Sequence, residues 1–116
     1  MNNKIWNYFE IAGKLASYKA GEKSFLLAAC AHRGDGAFVS AVNSISQQPN
    51  RLLHAEKRIC NKLDYGATVY VARVRLLDGE FALSKPCFSC EKALRSKRVA
   101  RVYYTIDQHN FGVLEF

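Results

Sequence analysis

Thr68-Val69-Tyr70-Val71-Ala72-Arg73-Val74-Arg75-Leu76-Leu77 is a valine-rich run, the composition of a buried strand. Downstream, Pro86-Cys87-Phe88-Ser89-Cys90-Glu91-Lys92-Ala93-Leu94-Arg95-Ser96 opens on a proline suited to the first position of a helix. Val99 to Ile106 then makes a further strand. Strand, helix and strand in that order require a crossover connection and a sheet covered by helices.

The same pattern extends in both directions. Ile5, Tyr8, Phe9, Ala12 and Ala16 recur at helical spacing, predicting a first helix over about Trp6 to Lys19. Phe25 to Ala31 reads as a buried strand, Gly34-Asp35-Gly36 as a turn and Ala37 to Asn43 as a second strand. Ser44 to Arg51 is a polar loop carrying Pro49, and a second helix follows over about Leu53 to Leu63. An Asp78-Gly79 turn would lead to an added strand at Glu80 to Leu83, and Phe111 to Phe116 would fold back as an antiparallel edge strand. The expected class is α/β, a mixed central sheet flanked by helices in one domain over residues 1–116.

Cys87 and Cys90 form a Cys-x-x-Cys at that third helix's start, where residues i and i+3 can aim both sulfurs at one point. His54-Ala55-Glu56 opens the second helix, and Asn43 ends the second strand. A histidine with two thiolates leaves one tetrahedral position open, the pattern of a catalytic zinc. Glu56, two residues from His54, is placed to move protons rather than bind metal. Cys30, inside an apolar run, and Cys60, on a helix face, read as small buried hydrophobes. His32 and His109 have no partner spacing.

His54-Ala55-Glu56 followed by Pro86-Cys87-x-x-Cys90 resembles the signature of the zinc-dependent cytidine deaminase superfamily. The likeness covers roughly residues 25 to 107. Ala93-Leu94-x3-Arg98-Val99-x-Arg101-Val102-Tyr103 is similar to the third helix and fourth strand of deoxycytidylate and tRNA adenosine deaminases. The resemblance implies a three-layer α/β/α fold and one zinc ion per chain, held by His54, Cys87 and Cys90. It also implies Glu56 as proton shuttle, Asn43 on sugar or base, and the backbone amides of Ala55 and Cys87 orienting the ring. The implied reaction is hydrolytic: oxygen replaces the amine at C4 of cytosine or C6 of adenine, and ammonia leaves.

Departures narrow the substrate. Free-nucleoside cytidine deaminases usually have a cysteine as first ligand and a glutamate two residues after the asparagine; here those positions are His54 and Ile45. The segment from Asn43 to His54 is short for a deoxycytidylate deaminase, and the 33 residues from His54 to Cys87 are slightly long for a tRNA adenosine deaminase. Neither that enzyme's C-terminal helix nor the extra helix and strand of AID/APOBEC enzymes is expected.

A cytosine nucleotide of deoxycytidylate or cytidylate type is therefore read first, with loop cations such as Arg33 and Lys85 on its phosphate. The competing substrate is cytosine in single-stranded DNA or RNA, which calls for a basic track and exposed rings. Lys92, Arg95, Lys97, Arg98 and Arg101 supply the charge, unless they are only the solvated face of a helix. Phe88, Tyr104 and Phe111 stand near element ends where they could stack, although the core is the role read first for each. A zinc-stabilised, non-enzymatic nucleic-acid-binding domain is the third reading, and Glu56 argues against it.

Composition sets the outer bounds. With 49% apolar and 23% charged residues the 116-residue chain is ordinary globular protein. Its net charge of +7 favours anionic partners. The longest apolar run, Phe25 to Ala31, is seven residues and cannot span a bilayer. No secretory signal stands at the N-terminus, so a cytoplasmic chain without membrane attachment is expected; the family resemblance implies a homo-oligomer, a neighbour's loops completing the pocket.

Overall fold

The apolar spacing of the first residues forms helix α1, Asn3–Tyr18, which begins three residues earlier than its pattern predicts. It leads to the strands β1, Phe25–His32, and β2, Phe38–Val42. Then come β3, Thr68–Arg75, the two-residue β4, Phe81–Ala82, and helix α2, Phe88–Ser96. Strands β5, Arg101–Thr105, and β6, Phe111–Glu115, close the order. This computed structural model describes residues 3–18, 25–42, 59–60, 62–75, 80–86 and 88–116. Of the helix expected over Leu53 to Leu63, Ile59 and Cys60 are described and helical, with Lys62 in a turn. Asn43, the loop Ser44 to Arg51, and Asp78-Gly79 lie outside the described residues.

The strands form one sheet in the order β2-β1-β3-β5-β6, with β4 also on β3. Among the described strands only β3 and β5 pair in parallel, with Thr68 opposite Arg101 and Val71 opposite Tyr104; the other pairings are antiparallel. The sheet is mixed because α2 carries the chain back across it, whereas tight turns join β1 to β2 and β5 to β6. In the first turn Gly36 has φ +92°, a conformation that glycine adopts without a Cβ clash. In the second, the Asp107 carboxylate accepts the backbone N–H groups of His109 at 2.8 Å and Asn110 at 2.9 Å. Those bonds, with the Asn110 amide, hold its pKa below the ordinary carboxylate value.

Both faces are covered. Alternation along β3 sends Val69 and Val71 to one side and Tyr70 and Ala72 to the other, and all four are buried. On the first side they meet Leu94 of α2, Ile59, Cys60, Val99 and Val102. On the second, Phe9 and Ala12 of α1 pack on Ala28, Cys30, Tyr70 and Ala72, within a shell of Trp6, Phe81, Tyr103 and Phe111. Helix, sheet and helix are thus stacked in three layers. Cys30 and Cys60 are buried hydrophobes of these two cores. Burial pushes the Cys30 thiol up to about 12. Burial, aided by the Tyr8 and Tyr103 phenols, does the same to Tyr70.

Candidate active site

The helix α2 begins where the chain leaves the sheet at the C-terminal ends of β3 and β5. Two buried hydroxyls fix that departure. Ser84 Oγ donates to the Val71 carbonyl at 2.9 Å and accepts the Thr105 N–H at 2.8 Å, while Ser84 N–H donates to the Thr105 carbonyl at 2.8 Å. Thr105 Oγ1 donates to the Ala82 carbonyl at 2.7 Å, accepts the Arg73 N–H at 3.3 Å and touches Ser84 Oγ at 2.8 Å. These bonds replace a longer β4 ladder, which is why β4 stops at Ala82 and not Leu83. They tie residues 82–84 to β3 and β5 just before Lys85, which is exposed, and Pro86, which is buried.

Cys90 follows in the first turn of α2 and is fully buried, on the same side of the helix as Leu94. Strand β2 also ends near this end of the sheet, since Val42 pairs with Ala28 and Ala28 with Ala72. Lys85, Cys90 and the residue preceding Asn43 are therefore brought toward one end. His54, Ala55, Glu56, Asn43 and Cys87 themselves lie outside the described residues.

Two other candidates are placed differently. Arg33 lies in the β1–β2 turn, at the opposite end of the sheet, because His32 pairs with Thr68 at the start of β3. Its Nη2 is 2.9 Å from Asp35 and its Nε 3.8 Å from Asp64. Phe111 begins β6 opposite Thr105 but turns to the α1 face, where its ring lies 5.9 Å from each of Trp6, Phe9 and Tyr103. His32 likewise joins the α1 layer, its Nε2 bonded to the Tyr8 hydroxyl.

The donor set of one imidazole and two thiolates suits zinc. Cys90, the described member, fits as a ligand: it is a buried thiol in a helix's first turn. Among the described residues no group of three or more His, Cys, Asp or Glu side chains could hold a metal. Nor is any helix among them long and apolar enough to cross a membrane.

Phe88 corrects an expectation. It is 76% exposed rather than core, because it falls opposite Cys90 and Leu94 on the helical wheel. The Lys92 ammonium stands 5.7 Å from its ring centroid. At the other end of α2 a cavity of about 570 Å³ is lined by Tyr65, Arg95, Arg98, Arg101, Glu115 and Phe116 among others. Sequence reasoning singled out its arginines but missed Tyr65 and Phe116, which lie in a connection and just beyond β6. It also missed Ser84 and Thr105, which stand 21 residues apart and share no motif.

No family model matches the sequence, and no curated protein does. Among solved structures, the chain matches a cytidine deaminase from Burkholderia pseudomallei with a TM-score of 0.66. That match covers 95% of this chain and 91% of the other, at 18% identity. The chain has a cytidine deaminase-like fold. Cys90, the described cysteine of the Cys-x-x-Cys, stands in the first turn of a helix whose Leu94 packs on the sheet's aliphatic face.

Proposed function

We propose that this chain is a zinc-dependent hydrolase that converts the cytosine of a nucleotide, of deoxycytidylate or cytidylate type, to uracil and ammonia. The observation that carries the reading is a His54-Ala55-Glu56 and Pro86-Cys87-x-x-Cys90 signature on a cytidine deaminase-like fold. His54, Cys87 and Cys90 would hold one zinc ion. When bound, that ion supplies activation of water at neutral pH.

The remaining work falls to the chain. Glu56 accepts a proton from the attacking water, returns it to the ring nitrogen beside C4, and carries the water's second proton to the departing amine. The C4–oxygen bond forms and the C4–nitrogen bond breaks. Asn43 and the backbone amides of Ala55 and Cys87 orient the base and sugar. Lys85, exposed just ahead of α2, offers its ammonium to the phosphate. An intracellular location belongs to the same reading. Assembly of several copies belongs to the same reading and would show in sedimentation.

A second substrate reading, cytosine within a single strand, is favoured by one observation: exposed Phe88 beside Lys92 on the outer face of α2. The test incubates the protein with cytidine, deoxycytidine, their monophosphates, and single-stranded DNA and RNA, with mass spectrometry detecting an amine replaced by oxygen. Conversion of a monophosphate supports the first reading, and conversion of a strand alone replaces it with the second. Glu56→Ala should keep its zinc and lose turnover by at least about a hundredfold. A variant that stays active, or loses its metal, overturns the proton-shuttle role.

A further inference from the structure

We infer that the outer face of α2 and the cavity at its C-terminal end form a binding track for single-stranded nucleic acid. Phe88, Lys92 and Arg95 fall at i, i+4 and i+7, so all three stand on one exposed face of the helix. The Arg95 guanidinium lies 5.1 Å from the ring centroid of Phe116, at the mouth of the cavity. Two cation–aromatic pairs therefore lie along one line, separated by about 10 Å at about 1.5 Å per helical residue.

The cavity continues that line with the two elements a strand needs. Phosphates meet Arg95, Arg98 and Arg101, and a base can stack on Tyr65, which is 75% exposed, or on Phe116, 40% exposed. Its volume of about 570 Å³ lies in the range of small-ligand sites. The carboxylates nearby do not cancel the charge: Glu91 pairs with Arg95 at 3.4 Å and Glu115 with Arg101 at 3.5 Å. Among the described residues Arg98 has no ion pair, and with Lys92 it leaves the stripe positive.

A simpler role for these cations would be to offset the C-terminal dipole of α2. That role needs only the last turn. It explains neither Arg101, which comes from β5, nor the exposed aromatic rings beside Lys92 and Arg95. A single phosphate would also need fewer cations than this stripe contains. The length of the stripe favours a strand over a mononucleotide.

The test is fluorescence anisotropy with labelled oligothymidylate and oligouridylate of about twenty nucleotides. Neither base carries a ring amine, so binding is read without turnover, and its failure would leave the deaminase reading standing. Arg98→Gln with Arg101→Gln should weaken binding at least tenfold and lower the magnitude of the salt slope by about 1.4. Lys4→Gln with Lys14→Gln removes the same charge from α1 and should change affinity by less than twofold. Tyr65→Ser should weaken binding by roughly fivefold or more, and Tyr65→Phe should keep it. Thermal melts confirm that each variant is folded. Equal losses from the two charge pairs, loss in Tyr65→Phe equal to that in Tyr65→Ser, duplex bound as tightly as strand, or no binding would each overturn the track.

Discussion

At its N-terminal end α2 is held by buried polar bonds; at its C-terminal end it opens onto exposed charge. Ser84 and Thr105 pin the entering chain to two strands, and Cys90 is fully buried in the first turn. Five to eleven residues beyond Cys90, Arg95, Arg98 and Arg101 line an open cavity. Proton-transfer and metal chemistry need groups fixed to within a fraction of an ångström, and a dry, satisfied network provides that. Contact with a mobile polyanion needs long side chains that can adjust, and water supplies their solvation. On the proposed reading, one helix thus separates the task of reacting from the task of holding.

The largest predicted effect strikes the buried end. Cys90→Ser should lose zinc, and Cys87→Ser should do the same, since metal affinity and folding are coupled. At Cys90 the fold should also lose about 2–4 kcal/mol, because a hydroxyl replaces a thiol in a fully dry position. Metal analysis and urea unfolding would check both. If Cys90→Ser kept its zinc, the N-terminal end of α2 would be only a packing site.

Next in size is the polar network. Thr105→Val keeps the shape of the side chain but strips the hydroxyl from the Ala82 carbonyl, the Arg73 N–H and Ser84 Oγ. Leaving such groups buried without partners should cost about 2 kcal/mol. The same variant should reduce turnover more than strand binding, because the arginine cavity lies at the other end of the sheet. Equal losses of both would erase the distinction between the ends.

Much of this was legible in the sequence, and the exceptions have physical causes. Valine enrichment in residues 68–74 marks a strand buried on both faces, and the helical spacing of residues 5–12 serves one buried face, so pattern and structure agree. The Cys87-x-x-Cys90 spacing stands out in the sequence because metal ligands need fixed spacing, while His54, Glu56 and Cys87 fall outside the described residues. Ser84 and Thr105 were not, because a hydroxyl's partners are set by the sheet and not by sequence neighbours. Phe88 misled because a phenylalanine's character suggests the core, whereas its helical phase relative to Cys90 and Leu94 decides its exposure. Arg33 looked available as a loop cation, but the fold brings Asp64 beside it from a connection 31 residues away.

An alkaline titration isolates the α1 face, away from either end of α2. The Cys30 thiol rises from its ordinary 9.0 to about 12, and Tyr70 from 10.0 to about 12, chiefly through burial. Both are neutral in the fold and ionise sooner in the unfolded chain. Their contribution is complete below pH 9 and is lost as pH rises through 12. Cys30→Ala should flatten that loss in urea unfolding at successive pH values. An unchanged slope would mean that another group carries it.

The smallest effect is the most diagnostic, because its two readouts should move in opposite directions. Arg98 turns the chain out of α2 with φ 56°, a left-handed conformation that glycine adopts more readily than arginine. Arg98→Gly should therefore stabilise the fold by up to about 1 kcal/mol. Its N–H bond to the Arg95 carbonyl, at 3.0 Å, does not depend on the side chain. The same change removes a cation from the cavity and should weaken oligothymidylate binding several-fold. Arginine at a position where the backbone prefers glycine is then retained for its charge. If Arg98→Gly destabilises the fold, or leaves strand affinity intact, the charge at this end is only the solvated surface of a helix terminus.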